Sequence, residues 1–83
     1  MILTALYDSK VQRYFNFVTT DNTERVKREY SLLLRSGQHN SVVDFPEDYI
    51  LVQLGFVDEV TGDMQSSLVN ICQLVELKPK EVK

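Results

Sequence analysis

The stretch "KVQRYFNF", Lys10 to Phe17, sets two cations among three aromatic rings. Binders of single-stranded nucleic acid use this mixture: cations meet phosphates, and flat rings stack on bases. Read as a strand, it puts Arg13, Phe15 and Phe17 on one face and Tyr14 on the other. Phe15 and Phe17 are expected to pack beneath a helix. Tyr14 is left free to stack, with Tyr7 of the preceding segment near it. More cations follow at Arg25, Lys27, Arg28 and Arg35. Arg25, Arg28 and Arg35 are spaced by three and seven, so they share one helix face, and Lys27 lies off that line. Such a row can track phosphates. Exposed helix charges more often serve only solvation, and that reading stands beside the first.

Other chemistries find less. General acid–base catalysis needs a tuned group in a pocket. Glu47-Asp48 and Asp58-Glu59 instead lie in turn sequences, where carboxylates accept backbone hydrogen bonds. Asp58 and Asp63 in "DEVTGD" lack the periodic oxygen ligands of a calcium loop. His39 and Cys72 are each the one residue of their type, without metal-ligand spacing. Cys72 reads as a small buried apolar residue, and His39 as a surface loop residue. Ser66-Ser67 has no recognisable base beside it. The three glycines, at 37, 55 and 62, are too scattered for a phosphate loop. No enzyme, cofactor or metal site is expected.

The elements that must position these residues are legible in outline. Ile2 to Tyr7 is strand-prone, Asp8-Ser9-Lys10 is turn chemistry, and Val11 to Thr19 returns as a second strand. "DNTERVKREYSLLLRSG" is an amphipathic helix with Val26, Tyr30, Leu33 and Leu34 on one stripe. Asp21 with Glu24 resembles a capping box. Gly37 supplies the stop, and Arg35 suits the negative end of the helix. "QHNSVVDFPED" reads as a loop in which Pro46 makes Phe45 extended. "YILVQLGFVDE" reads as a central strand, with a bulge or close approach at Gly55. "EVTGD" turns the chain into a last apolar segment. Residues 68–77 fit a strand (Val69, Ile71, Gln73, Val75) and a helix face (Leu68, Ile71, Cys72, Val75) equally well. The expected fold is α+β: a small antiparallel sheet of two hairpins with one main helix, in the order ββαββ plus a short C-terminal element. Residues 1–77 form one domain and 78–83 a polar tail.

Composition sets the bounds. The chain has 83 residues, 43% hydrophobic and 25% charged, which suits one soluble globular domain with a modest core. Help from a second subunit, a homodimer, is expected at this size. A lone cysteine fits a reducing compartment. No apolar run nears the roughly 18 residues of a membrane span, and "MILTALYD" lacks the basic start of a signal peptide. A cytoplasmic protein without membrane contact is expected. The net charge of −3 is unevenly spread. Residues 1–40 carry six Lys and Arg against four acids, whereas residues 41–77 carry seven acids and no Lys or Arg. The asymmetry suits a nucleic-acid site on the basic half or head-to-tail packing of basic on acidic faces.

Several short motifs occur in a telling order: "YDSK" (Tyr7 to Lys10), the helix, "PEDY" (Pro46 to Tyr49), "LGFVD" (Leu54 to Asp58) and Thr61-Gly62. Together, from Tyr7 to about Val75, they resemble the small nonstructural protein of gokushovirus-type microviruses, single-stranded-DNA bacteriophages. Two features depart from that family. "YFNFVTT" has no proline, where the family often has an aromatic-proline segment, and Phe45 stands where histidine usually precedes "PEDY". The resemblance implies a DNA-binding protein of the replication-to-packaging stage, working in the cytoplasm of the bacterial host. It brings no catalytic residues. Combined with the basic half, it makes Lys10, Arg13, Tyr14, Arg25, Lys27, Arg28 and Arg35 the candidate contacts to single-stranded DNA. A phage replication or capsid protein is the further candidate partner, and the acidic half offers an alternative: a protein-binding module, with a DNA mimic as one form of it.

Overall fold

The computed structural model describes residues 1–78. Its elements are β1 (Ile2–Asp8), β2 (Arg13–Thr20), α1 (Thr23–Arg35), a short α2 (Ser41–Asp44), β3 (Tyr49–Val57) and β4 (Met64–Gln73). A 3-10 turn at Pro46–Asp48 precedes β3, and another at Leu74–Leu77 follows β4. The four strands form one antiparallel sheet in the order β2-β1-β3-β4. The fold is therefore α+β in the expected order ββαββ. β3 is a central strand, paired on both sides.

The ambiguous segment resolves by position. As far as Gln73 it pairs with β3, and its backbone groups go into the ladder. Leu74–Leu77 then tightens into the 3-10 turn, which drops Leu74 into the core. Of the expected tail, only Lys78 lies within the described residues.

One face of the sheet meets α1. Leu6, Tyr49 and Leu51 from the strands join Val26 and Tyr30 from the helix, with Leu74 closing the cluster. The helix stripe read from the sequence supplies Val26 and Tyr30 to this core, and Leu33 packs against it. α1 has 13 residues and β4 has 10. At ~1.5 and ~3.4 Å per residue they span roughly 20 and 34 Å. The helix therefore cannot cover the sheet end to end, and the body is elongated, 49 × 25 × 19 Å.

Local chemistry corrects several expectations. The helix cap is Asn22 rather than Asp21: the Asn22 side chain accepts the Glu24 N–H at 2.9 Å. Asp21 instead pairs with Arg25, 3.4 Å away and four residues on. At the far end Ser36 is the C-cap, and Gly37 follows with φ +76°. The expected loop before Pro46 contains α2, because the Asn40 side chain caps the Val43 N–H at 3.0 Å. Proline then starts the 3-10 turn, where its missing N–H costs nothing.

The larger correction concerns β2. Thr4 pairs with Val18 but Leu6 pairs with Phe15, so Asn16 and Phe17 both oppose Ala5. This is a bulge. Asn16 takes φ +56°, a conformation asparagine tolerates better than most residues. Its amide donates to the Tyr30 hydroxyl on α1. Simple alternation is thus broken inside "RYFNF". Phe15 reaches Tyr49 on the helix side, ring centroids 5.7 Å apart. Phe17 does not pack beneath the helix and is 60% exposed.

Candidate nucleic-acid interface

The structure distributes the candidate residues over three places. Lys27, Arg28 and Arg35 line one groove along α1, of about 520 Å³, together with Glu24, Ser31, Leu32 and Leu77. Lys27, expected off the cationic line, is thus beside the groove. Its ammonium lies 3.2 Å from Glu24. Arg28 and Arg35 form no ion pair among the described residues. Arg25 does not line this groove: it pairs with Asp21 and, together with Arg28, borders a smaller hollow at the start of the helix. The three-and-seven spacing had put Arg25, Arg28 and Arg35 on one face, and Arg28 does link the other two, bordering the hollow of Arg25 as well as the groove of Arg35.

Arg13 lies elsewhere. It lines a small cavity at the end of the first hairpin with Asp8, Val11, Phe15, Ser41 and Tyr49. Lys10 sits in the turn beside it, its backbone N–H donated to the Asp8 carboxylate at 2.9 Å. Tyr14 takes the opposite face of the sheet from Phe15, since Leu6 with Phe15 and Tyr7 with Tyr14 are successive pairs of one ladder. The expected neighbourhood of Tyr7 and Tyr14 is found: their rings are 4.8 Å apart and tilted by 50°. Tyr14 remains 39% exposed. One ring face is therefore already engaged, and part of the other ring surface meets solvent. The helix cations, the hairpin cations beside Phe15 and the Tyr14 ring on the opposite sheet face do not converge on one groove.

Two residues of the hairpin cavity, Asp8 and Tyr49, were not singled out as binding residues from the sequence. Both stand in quoted motifs, Asp8 in "YDSK" and Tyr49 in "PEDY", and they are direct partners between β1 and β3. Only the register reveals that the two motifs meet.

The acids behave as turn residues. Asp58 Oδ1 accepts the N–H groups of Val60 and Thr61, at 2.9 and 3.2 Å. These bonds hold its carboxyl below the usual carboxylate range. Asp58, Glu59 and Asp63 border an open groove of about 590 Å³ with Met1, Phe56 and Val60. Burial pushes the Cys72 thiol up, which makes it a poor nucleophile. His39 stands in solvent with Nδ1 3.4 Å from Asp44. Among the described residues no three His, Cys, Asp or Glu side chains gather as a metal site. No helix there is long and apolar enough to cross a membrane.

The model of one protein family, described as Phage ORF5 protein, matches residues 1–77. No curated protein and no solved structure matches the chain.

Proposed function

The chain belongs to the Phage ORF5 protein family, and on that footing we propose that it is a nonstructural protein of gokushovirus-type microviruses that binds single-stranded DNA during genome replication or packaging. One observation carries the reading. The α1 groove presents Lys27, Arg28 and Arg35 together, and the two arginines have no carboxylate partner among the described residues. A phosphate entering it releases condensed counterions, the main source of affinity in such complexes. Tyr14 adds a half-exposed ring on which a base can stack. The net charge of −3 makes the binding modest and salt-sensitive.

The test is fluorescence anisotropy of a labelled single-stranded oligonucleotide at several salt concentrations, beside a duplex control. Saturable binding that favours the single strand and weakens with salt is expected. Each phosphate contact contributes roughly 0.7 to the logarithmic salt slope for a single strand, so Arg28→Ala with Arg35→Ala removes about 1.4. Arg25→Ala changes it less, because a phosphate there competes with the Asp21 carboxylate. No binding at low salt sinks the proposal. A dimer is part of it: Phe17, Met64 and Leu68 expose apolar surface that a second copy would cover. A single-chain mass in solution removes that part.

The acidic groove favours a second reading. Phe56 and Val60, the latter 94% exposed, stand among Asp58, Glu59 and Asp63. Apolar side chains ringed by acids suit a basic, partly apolar peptide segment of a phage or host protein. Charge reversal at Asp58 and Glu59 should abolish such a complex and leave DNA binding unchanged. Loss of DNA binding instead would refute the division of labour.

A further inference from the structure

The sheet register builds a small site at the end of the first hairpin. One rung of the ladder runs Tyr49, Asp8, Arg13 across β3, β1 and β2. Side chains on one rung share a face. Phe15, two residues on from Arg13, takes the same face and sets its ring edge-on to Tyr49 at 66°. Val11 from the turn and Ser41 from the start of α2 complete the walls. The site is a shallow hollow open to solvent, of about 250 Å³, below the roughly 300–1,000 Å³ of drug-sized sites. One flat heterocycle is the occupant of matching size.

We propose that this cavity receives one unpaired nucleobase carrying an exocyclic amine, with cytosine the smallest that fits. The inference rests on the single-strand reading above and names the base chemistry which that reading leaves open.

Three features support it. Phe15 is 36% exposed, so its ring offers surface for stacking, which any base can use. Arg13, at the rim, can meet the phosphate attached to the stacked nucleotide. Asp8 supplies the selection. Its Oδ1 accepts the N–H groups of Lys10 and Val11, at 2.9 and 3.2 Å, which fixes the carboxylate in the turn. Oδ2 has no such donor among the described residues. An ionised carboxylate only accepts. The N4 amine of cytosine donates to it, whereas uracil would turn its O4 lone pairs toward the same oxygen.

The experiment compares labelled (dC)12 and (dU)12, which differ only at position 4 and the proton on N3, by anisotropy at low salt. Wild type should bind (dC)12 about tenfold or more tighter, the worth of one hydrogen bond to a charged group. Asp8→Asn keeps an oxygen for the turn and replaces the free acceptor with a donor, so the preference should vanish or invert. Phe15→Leu keeps an apolar contact for Tyr49 and removes the stacking ring. It should weaken (dC)12 about five- to hundredfold. Thermal melts confirm that each variant is folded, and if Phe15→Leu is not, the Asp8→Asn comparison decides. Equal wild-type affinity for both oligonucleotides, unaltered in Asp8→Asn, overturns the pocket and leaves single-strand binding standing. Absence of binding to either oligonucleotide removes both.

Discussion

β3 passes through two unlike environments. Its first half lies under α1: Tyr49 and Leu51 are buried against the helix, and Leu51 has no exposed surface at all. Its second half leaves the helix behind. Phe56 is half-exposed, and beyond it the acidic loop and Met64 stand in solvent. The first half is held by side-chain packing among Leu6, Val26, Tyr30 and Leu74. The second is held by backbone pairing, by a bulge and by a carboxylate that organises the turn. A helix of roughly 20 Å on a nine-residue strand of roughly 31 Å makes that division unavoidable. Stability belongs to one end, so the other end can carry charge and exposed apolar groups without a folding role.

The largest effect expected is at the packed end. Leu51→Ala removes a fully buried side chain from the centre of the cluster and should cost about 2–5 kcal/mol. At this size each kcal/mol lowers the Tm by about 4–8 °C. A melt within a degree or two of wild type would mean that this cluster does not hold the fold. Gly55→Ala strikes the boundary between the halves. A Cβ there would lie 2.0 Å from the Gln65 carbonyl oxygen, a backbone atom that cannot swing away. Relief requires β4 to move, at about 1–3 kcal/mol. Amide exchange should quicken around residues 56–65 more than at Leu51. Uniform acceleration would show that the two ends unfold as one.

A smaller change probes how β2 is fastened to the packed end. Tyr30→Phe keeps the ring in the core and removes the acceptor for the Asn16 amide. The expected loss is about 1 kcal/mol, the usual net worth of one hydrogen bond. Burial raises the Tyr30 pKa, with the Asn16 bond partly offsetting it. The ordinary value of 10.0 therefore marks where stability begins to fall as pH rises. Below it both states keep the proton. Above it the unfolded chain ionises first, until pH passes the raised folded value. Tyr30→Phe should flatten that part of the decline.

What the sequence disclosed follows the same division. The helix stripe, the stop at Gly37, the central strand and the close approach at Gly55 are local patterns, written in neighbouring residues. The bulge in β2 is not. Nothing in "RYFNF" announces that Asn16 will turn to φ +56° to reach a tyrosine 14 residues away. The placement of Phe17 depended on it. The cap went to Asn22 rather than Asp21 because either residue type serves, and a shift of one position is below what propensity resolves. The cationic residues were all visible as types. Their full grouping was not: the helix arginines follow their spacing, but Lys27 joins them from off that line, and Arg13 lies apart at the hairpin. The hairpin cavity needed the register between β1 and β3, which two short motifs 40 residues apart do not specify.

The smallest effect lies at the far tip and tests whether its turn is held by charge. Asp58 is fully exposed, and its carboxyl is held below the usual range by the N–H groups of Val60 and Thr61. A carboxylate favoured in the folded turn adds stability above its ordinary value of 3.8, and that stability is lost as pH falls through the lower folded value. Acidification should therefore loosen the tip, read as faster amide exchange at Val60 and Thr61, while Leu51 keeps its protection. Asp58→Asn retains an oxygen acceptor and cannot titrate, so its tip should show no such step. The carboxyl carbon shift of Asp58 followed by NMR reports the titration directly. A midpoint at the ordinary value would mean that the two backbone bonds favour the charged form no more than water does, and that strand pairing with β1 and β4 holds the unpacked end.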